Sequence, residues 1–95
     1  MDSYEEFDAK MKQLEKLFQS DPDKALKGMI DFYPEASKTT YHDIGDAIGL
    51  WMQNEMTNGA REYLSQKAEA TEDLTLAKTY RTWLEWRNDS RENSE

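Results

Sequence analysis

Along four segments of this 95-residue chain, apolar residues recur at spacings of three and four, the period of a helix with one buried face. No segment shows the alternation of a strand, and no repeat has the period of a solenoid. Each stripe needs a partner to cover it, so we predict an all-α fold: a small antiparallel bundle of four or five helices in a single compact domain. We assign that domain to residues 1–87. Residues 88–95 lack apolar anchors and are expected to form a frayed polar C-terminal tail.

The first two helices are predicted on either side of residue 20. The first covers residues 3–19, and the second begins with Asp21 as N-cap and Pro22 at the first helical position. Pro34 should end the second helix, because the residue before a proline disfavours helical geometry. A polar loop over residues 35–40 would follow. The two stripes are Tyr4, Phe7, Met11, Leu14 and Phe18, and then Ala25, Leu26, Met29, Ile30 and Tyr33.

The third predicted helix opens at Thr40 and has the broadest apolar face, so we expect it to be the central helix. Asn58-Gly59 should break or cap it, since both residues tolerate left-handed geometry. The stripe resumes in phase afterwards, so one long helix to Ala68 is the alternative. A last helix is predicted from about Thr71. The two stripes are Tyr41, Ile44, Ala47, Ile48, Trp51, Met52 and Met56, and then Leu76, Ala77, Tyr80, Trp83 and Leu84.

Twenty carboxylates against twelve Lys and Arg residues give the chain a net charge of −8. Nucleic acids and anionic lipids are bound by clusters of basic residues, so we expect neither direct nucleic-acid binding nor membrane binding. No apolar run approaches the ~18 residues that span a bilayer, and the acidic N-terminus is unlike a secretory signal. Together with the absence of cysteine, these features predict a cytoplasmic protein.

The sequence offers little to catalysis or to metal binding. Asp21 could open a calcium loop, but the fifth, sixth and twelfth positions are Ala25, Leu26 and Phe32, none of which fits. His42 is the one histidine, and no cysteine or second histidine completes a zinc site. No motif for a nucleophile or for phosphate binding is present. We therefore predict a protein that is not an enzyme and holds no metal and no cofactor.

The candidate functional residues surround Leu50, which points away from the apolar stripe of the third helix. The polar residues around it are Asp43, Asp46, Gln53 and Asn54. An apolar residue ringed by acidic and amide groups has the core-and-rim composition of a protein interface. The stretch 41–60 also carries three acids and no base, which would suit a basic partner.

Trp86 is a second candidate contact, because tryptophan is enriched among residues that anchor interfaces. It lies at the edge of the inner arc of the last helix. The alternative is that Trp86 covers the end of the bundle as part of the core.

These features favour a non-catalytic protein-binding module, an acidic adaptor or inhibitor that docks on one specific, basic-surfaced protein. One alternative is a nucleic-acid mimic that occupies the basic cleft of a DNA- or RNA-binding protein. Another is a self-assembling structural subunit, in which the first stripe or the face bearing Gly45 and Gly49 forms a homodimer contact. Within one chain, such a glycine pair more commonly lets a neighbouring element approach closely.

Overall fold

The computed structural model describes residues 4–38 and 42–94, with side chains over 4–38 and 43–85. This part of the chain consists of five α-helices and contains no strand, which confirms the predicted all-α bundle. The helices are α1 (Tyr4–Ser20), α2 (Pro22–Ser37), α3 (His42–Glu55), α4 (Asn58–Ala70) and α5 (Leu74–Ser94).

The turn between α1 and α2 forms as the sequence predicts. The carboxylate of Asp21 accepts the backbone N–H of Lys24 at 3.1 Å, and Pro22 occupies the first helical position. Proline is tolerated there because its missing N–H would have no partner in the helix. This tight connection lays α1 along α2, where Met11 of α1 is buried.

The central helix is α2, whereas the sequence suggested α3. It packs against α1, α3 and α4. Phe32 accounts for the difference, because it lies outside the predicted stripe and stacks on Phe7 of α1 at 5.7 Å between ring centroids. The apolar arc of α2 is therefore wider than the stripe. Its buried residues are Ala25, Leu26, Met29, Ile30, Phe32 and Ala36. The broad face of α3 does contact several neighbours, namely α1, α2 and α5.

Pro34 does not end α2, so that prediction is wrong. The helix continues to Ser37, and two contacts stabilise the turn that follows the proline. Ala36 is buried, and the hydroxyl of Ser37 donates to the carbonyl of Pro34 at 3.2 Å. Residues 35–37 are thus helical rather than a loop. The predicted helix start at Thr40 lies outside the described residues.

A break between α3 and α4 separates Glu55 from Asn58, so the alternative of one helix to Ala68 is wrong. The break comes before Asn58-Gly59 rather than at it, and both residues open α4. Thr57 is the N-cap: its hydroxyl accepts the backbone N–H of Ala60 at 3.1 Å. Left-handed geometry plays no part, since none of the described residues has a positive φ.

The start of α5 is three residues later than predicted, at Leu74 instead of Thr71. Asp73 lies before the helix, and its carboxylate accepts the backbone N–H groups of Thr75 and Leu76 at 3.0 and 3.2 Å. The predicted inner arc is confirmed: Ala77, Tyr80 and Trp83 are buried, and Leu76 and Leu84 pack against the core. Although α5 includes residues 88–94, the fraying of this segment stays a prediction.

Candidate functional site

Leu50 lies on the outer face of α3, as predicted. It stands about 200° round the helix from the buried Ile48, and 57% of the residue is exposed. The predicted polar neighbours are all exposed and fall on the same side of the helix. We name this set of five residues the Leu50 surface: Asp43, Asp46, Leu50, Gln53 and Asn54.

Asp43 also has a contact within the chain. Its carboxylate accepts a hydrogen bond from the hydroxyl of Tyr4 at 2.8 Å, which links the beginning of α1 to the beginning of α3. The same hydrogen bond raises the pKa of Tyr4, because the carboxylate stabilises the protonated phenol. Asp43 therefore belongs to the Leu50 surface and also links α1 to α3.

Trp51, next to Leu50, lies on the side of α3 that faces α1 and contacts that helix. Its indole N–H donates to the carboxylate of Glu15 at 3.4 Å, and its ring lies 4.8 Å from that of Phe18. A shallow cleft runs beside this contact and is lined by Leu50, Trp51, Asn54 and Glu55. The exposed Leu50 thus forms one border of a depression on the α1 side of α3.

A larger depression lies on the other side of Leu50, between α2, α3 and α5, with a volume of about 420 Å³. We name it the α2–α3–α5 groove. Three of its lining residues belong to the Leu50 surface: Asp46, Leu50 and Gln53. The other four are Tyr33, Gly45, Gly49 and Trp83.

The two glycines of α3 face aromatic side chains of α2 and α5. A Cβ atom at Gly45 would lie 3.6 Å from Cε1 of Tyr33, and one at Gly49 would lie 3.6 Å from Nε1 of Trp83. Tyr33 and Trp83 in turn meet edge to face, with their ring centroids 4.8 Å apart. Both distances are ordinary van der Waals contacts, so the role of this glycine pair in close packing within the chain stays a prediction.

Sequence reasoning assigned Tyr33 and Trp83 to the core and did not predict that they line a groove. The sequence feature that could have indicated the groove is the position of Gly45 and Gly49 one turn apart, with the second glycine directly before the outward-facing Leu50.

Trp86 is the sixth predicted site residue. Its backbone is part of α5, but its side chain lies outside the described residues. Its role stays a prediction.

Within the described part of the chain, no three His, Cys, Asp or Glu residues form a group that could hold a metal ion. Among the same residues, no helix combines the length and the apolar character that crossing a bilayer requires. The comparisons with known proteins found no match to a family model, to a curated protein or to a solved structure.

Proposed function

We propose that this chain is a non-catalytic protein-binding module, an acidic adaptor or inhibitor that docks on a basic-surfaced protein through the Leu50 surface. The observation that carries the proposal is the exposure of Leu50 between two depressions, inside a ring of acidic and amide side chains. An apolar centre with a polar rim is the usual anatomy of an interface.

The charge of this surface supports a basic partner. Asp43 and Asp46 are exposed on it, and the stretch 41–60 contains no Lys or Arg to neutralise them. Complementary charge steers a partner towards its site and disfavours partners of the same sign. Trp86 would extend the contact onto α5, and its role is part of the same proposal.

Leu74 provides a matched control for a test of this surface, because it is also an exposed leucine, 83% accessible at the first position of α5. Wild-type protein, Leu50→Arg and Leu74→Arg would each be immobilised and exposed to lysate of the source organism. We expect a protein that is retained by the wild type and by Leu74→Arg but not by Leu50→Arg. If Leu50→Arg is folded and retains the same proteins, the Leu50 surface is not the docking site.

The same base-free stretch supports a narrower version, in which the carboxylates imitate the phosphates of a nucleic acid. If the retained protein binds DNA or RNA, the mimic version predicts that this chain displaces the nucleic acid. It also predicts that Asp43→Asn combined with Asp46→Asn weakens the displacement. If the displacement curve is unchanged, the mimic version is wrong and only the adaptor version is supported.

Light scattering of the purified protein separately tests the homodimer alternative, which requires a species of twice the monomer mass.

A further inference from the structure

Trp83 places a buried hydrogen-bond donor in the α2–α3–α5 groove. The residue is 3% exposed, and its Nε1 atom faces Gly49, on the groove-lining side of α3. The indole of Trp51 donates to Glu15, whereas the described residues offer the indole of Trp83 no acceptor within bonding distance. A buried donor without an acceptor is costly and uncommon in folded proteins. The groove is therefore suited to a ligand that brings an acceptor oxygen.

The remaining lining residues define what else such a ligand carries. Gly45, Gly49 and Tyr33 all line the groove, so much of its wall is uncharged and suits an unbranched apolar stem. Asp46 also lines the groove, and its negative charge favours a cationic ligand. A volume of about 420 Å³ falls in the ~300–1,000 Å³ range of small-ligand sites, which suits one residue with its flanking peptide.

We propose that the α2–α3–α5 groove binds an arginine residue of the partner chain. Its main-chain carbonyl accepts the indole N–H of Trp83, its methylene stem lies against the glycines, and its guanidinium pairs with Asp46. A single arginine thus supplies an acceptor, an apolar stem and a cation. Arginine suits the site better than lysine, because its planar guanidinium binds a carboxylate with two parallel hydrogen bonds and stacks on aromatic rings. This inference rests on the proposed function, because it names the residue of the basic partner that the groove recognises.

The experiment follows the indole N–H signals of the ¹⁵N-labelled full chain by NMR during titration with acetyl-Gly-Arg-Gly-amide. The chain has three tryptophans, so Trp51→Phe and Trp86→Phe identify the Trp83 signal by elimination without altering the groove tryptophan. We expect the peptide to shift the Trp83 indole signal in a saturable way. The same peptide with citrulline in place of arginine keeps the shape without the charge and should bind more weakly.

Asp46→Asn should weaken binding of the arginine peptide about two- to fivefold, the loss expected for one exposed ion pair. Glu62→Gln is the matched control, since it removes one exposed acid from α4, away from the groove, and should leave the affinity unchanged. The inference is overturned if the Trp83 indole signal stays fixed during the titration. It is also overturned if citrulline binds as well as arginine, or if Asp46→Asn and Glu62→Gln behave alike.

The two proposals fail in different experiments. If the peptide misses the groove while Leu50→Arg still abolishes partner retention, the arginine site is wrong and the proposed function stands. If the peptide binds the groove as expected while Leu50→Arg retains the partner, the Leu50 surface is wrong.

Discussion

The carboxylate of Asp23 lies over Gly59, so the first turn of α2 packs against the N-terminal end of α4. A Cβ atom on Gly59 would come within 2.7 Å of the carboxyl carbon of Asp23, which is closer than packed atoms approach. The hydroxyl of Thr57 donates to the same carboxylate at 2.6 Å. A negative charge at this position is stabilised by the positive end of the α4 dipole. The carboxylate therefore occupies the space that a side chain at residue 59 would take, and the backbone there has no positive φ.

Gly59→Ala should therefore destabilise the protein, even though alanine is the better helix former. We expect a net loss of about 0.5–1 kcal/mol in the free energy of unfolding, since the added methyl group must displace the carboxylate and its hydrogen bond to Thr57. Urea denaturation followed by circular dichroism measures this change.

The control for that prediction is the same substitution in an Asp23→Ala background. Without the carboxylate the steric conflict is gone, and Gly59→Ala should become stabilising by about 0.5–1 kcal/mol through helix propensity. The sign of the effect should reverse between the two backgrounds. An equal loss in both would show that Asp23 does not set the requirement for glycine.

Asp23 also predicts part of the acid sensitivity of the fold. Its hydrogen bond from Thr57, followed by its contact with Lys27, holds its pKa below the ordinary value of 3.8. A carboxyl group with a lowered folded pKa stabilises the fold above its unfolded pKa, and that stability is lost as pH falls through the folded pKa. The contribution of Asp23 should thus be complete at pH 6 and decline from about pH 4 downwards.

The measurement compares the wild type with Asp23→Asn, which resembles the protonated acid at every pH. The difference between their free energies of unfolding should be larger at pH 6 than at pH 3. Its decline should not exceed about 1 kcal/mol, because Asp23 is 41% exposed and solvent screens its interactions. A difference that is the same at both pH values would contradict the assignment.

The helical period was sufficient to predict the fold class and most of the core. The stripes of α2, α3 and α5 supply residues such as Leu26, Ile48 and Trp83, which the structure buries. Phe32 was missed because its burial depends on where α1 lies, and a single helix does not carry that information. The sequence predicts the break before α4 close to its observed position, but for the wrong reason. Thr57 caps the helix, and the carboxylate of Asp23 occupies the space beside Gly59.

The sequence likewise predicts one part of the candidate site and not the other. The outward direction of Leu50 follows from its angle on one helix, so the sequence predicted it correctly. The α2–α3–α5 groove forms only when Tyr33 of α2 and Trp83 of α5 meet across Gly45 and Gly49. These residues are distant in sequence and each has an ordinary reason to be buried. Tertiary packing, and not periodicity, gives them a shared surface.

Pro34 lies inside α2, and replacing it should stabilise the protein. Proline there removes the hydrogen bond that its N–H would donate to Ile30 and crowds the preceding turn. We expect Pro34→Ala to raise the free energy of unfolding by about 1–2 kcal/mol, which is less than the ~3 kcal/mol of a mid-helix proline because only the last turn follows it. Pro22→Ala is the control and should bring no such gain, since its position needs no N–H. Equal effects of the two substitutions in thermal denaturation would contradict this prediction.

Gly49 connects the stability of the helix with the proposed arginine site. A Cβ at this position would lie in ordinary contact with Nε1 of Trp83, so Gly49→Ala should fit and stabilise α3 by about 0.5–1 kcal/mol. The same methyl group would narrow the groove beside the indole N–H and hinder a carbonyl from reaching it. We therefore expect Gly49→Ala to unfold at a higher urea concentration while binding acetyl-Gly-Arg-Gly-amide more weakly. A variant that gains stability and keeps its full affinity would show that the peptide does not enter the groove beside Gly49.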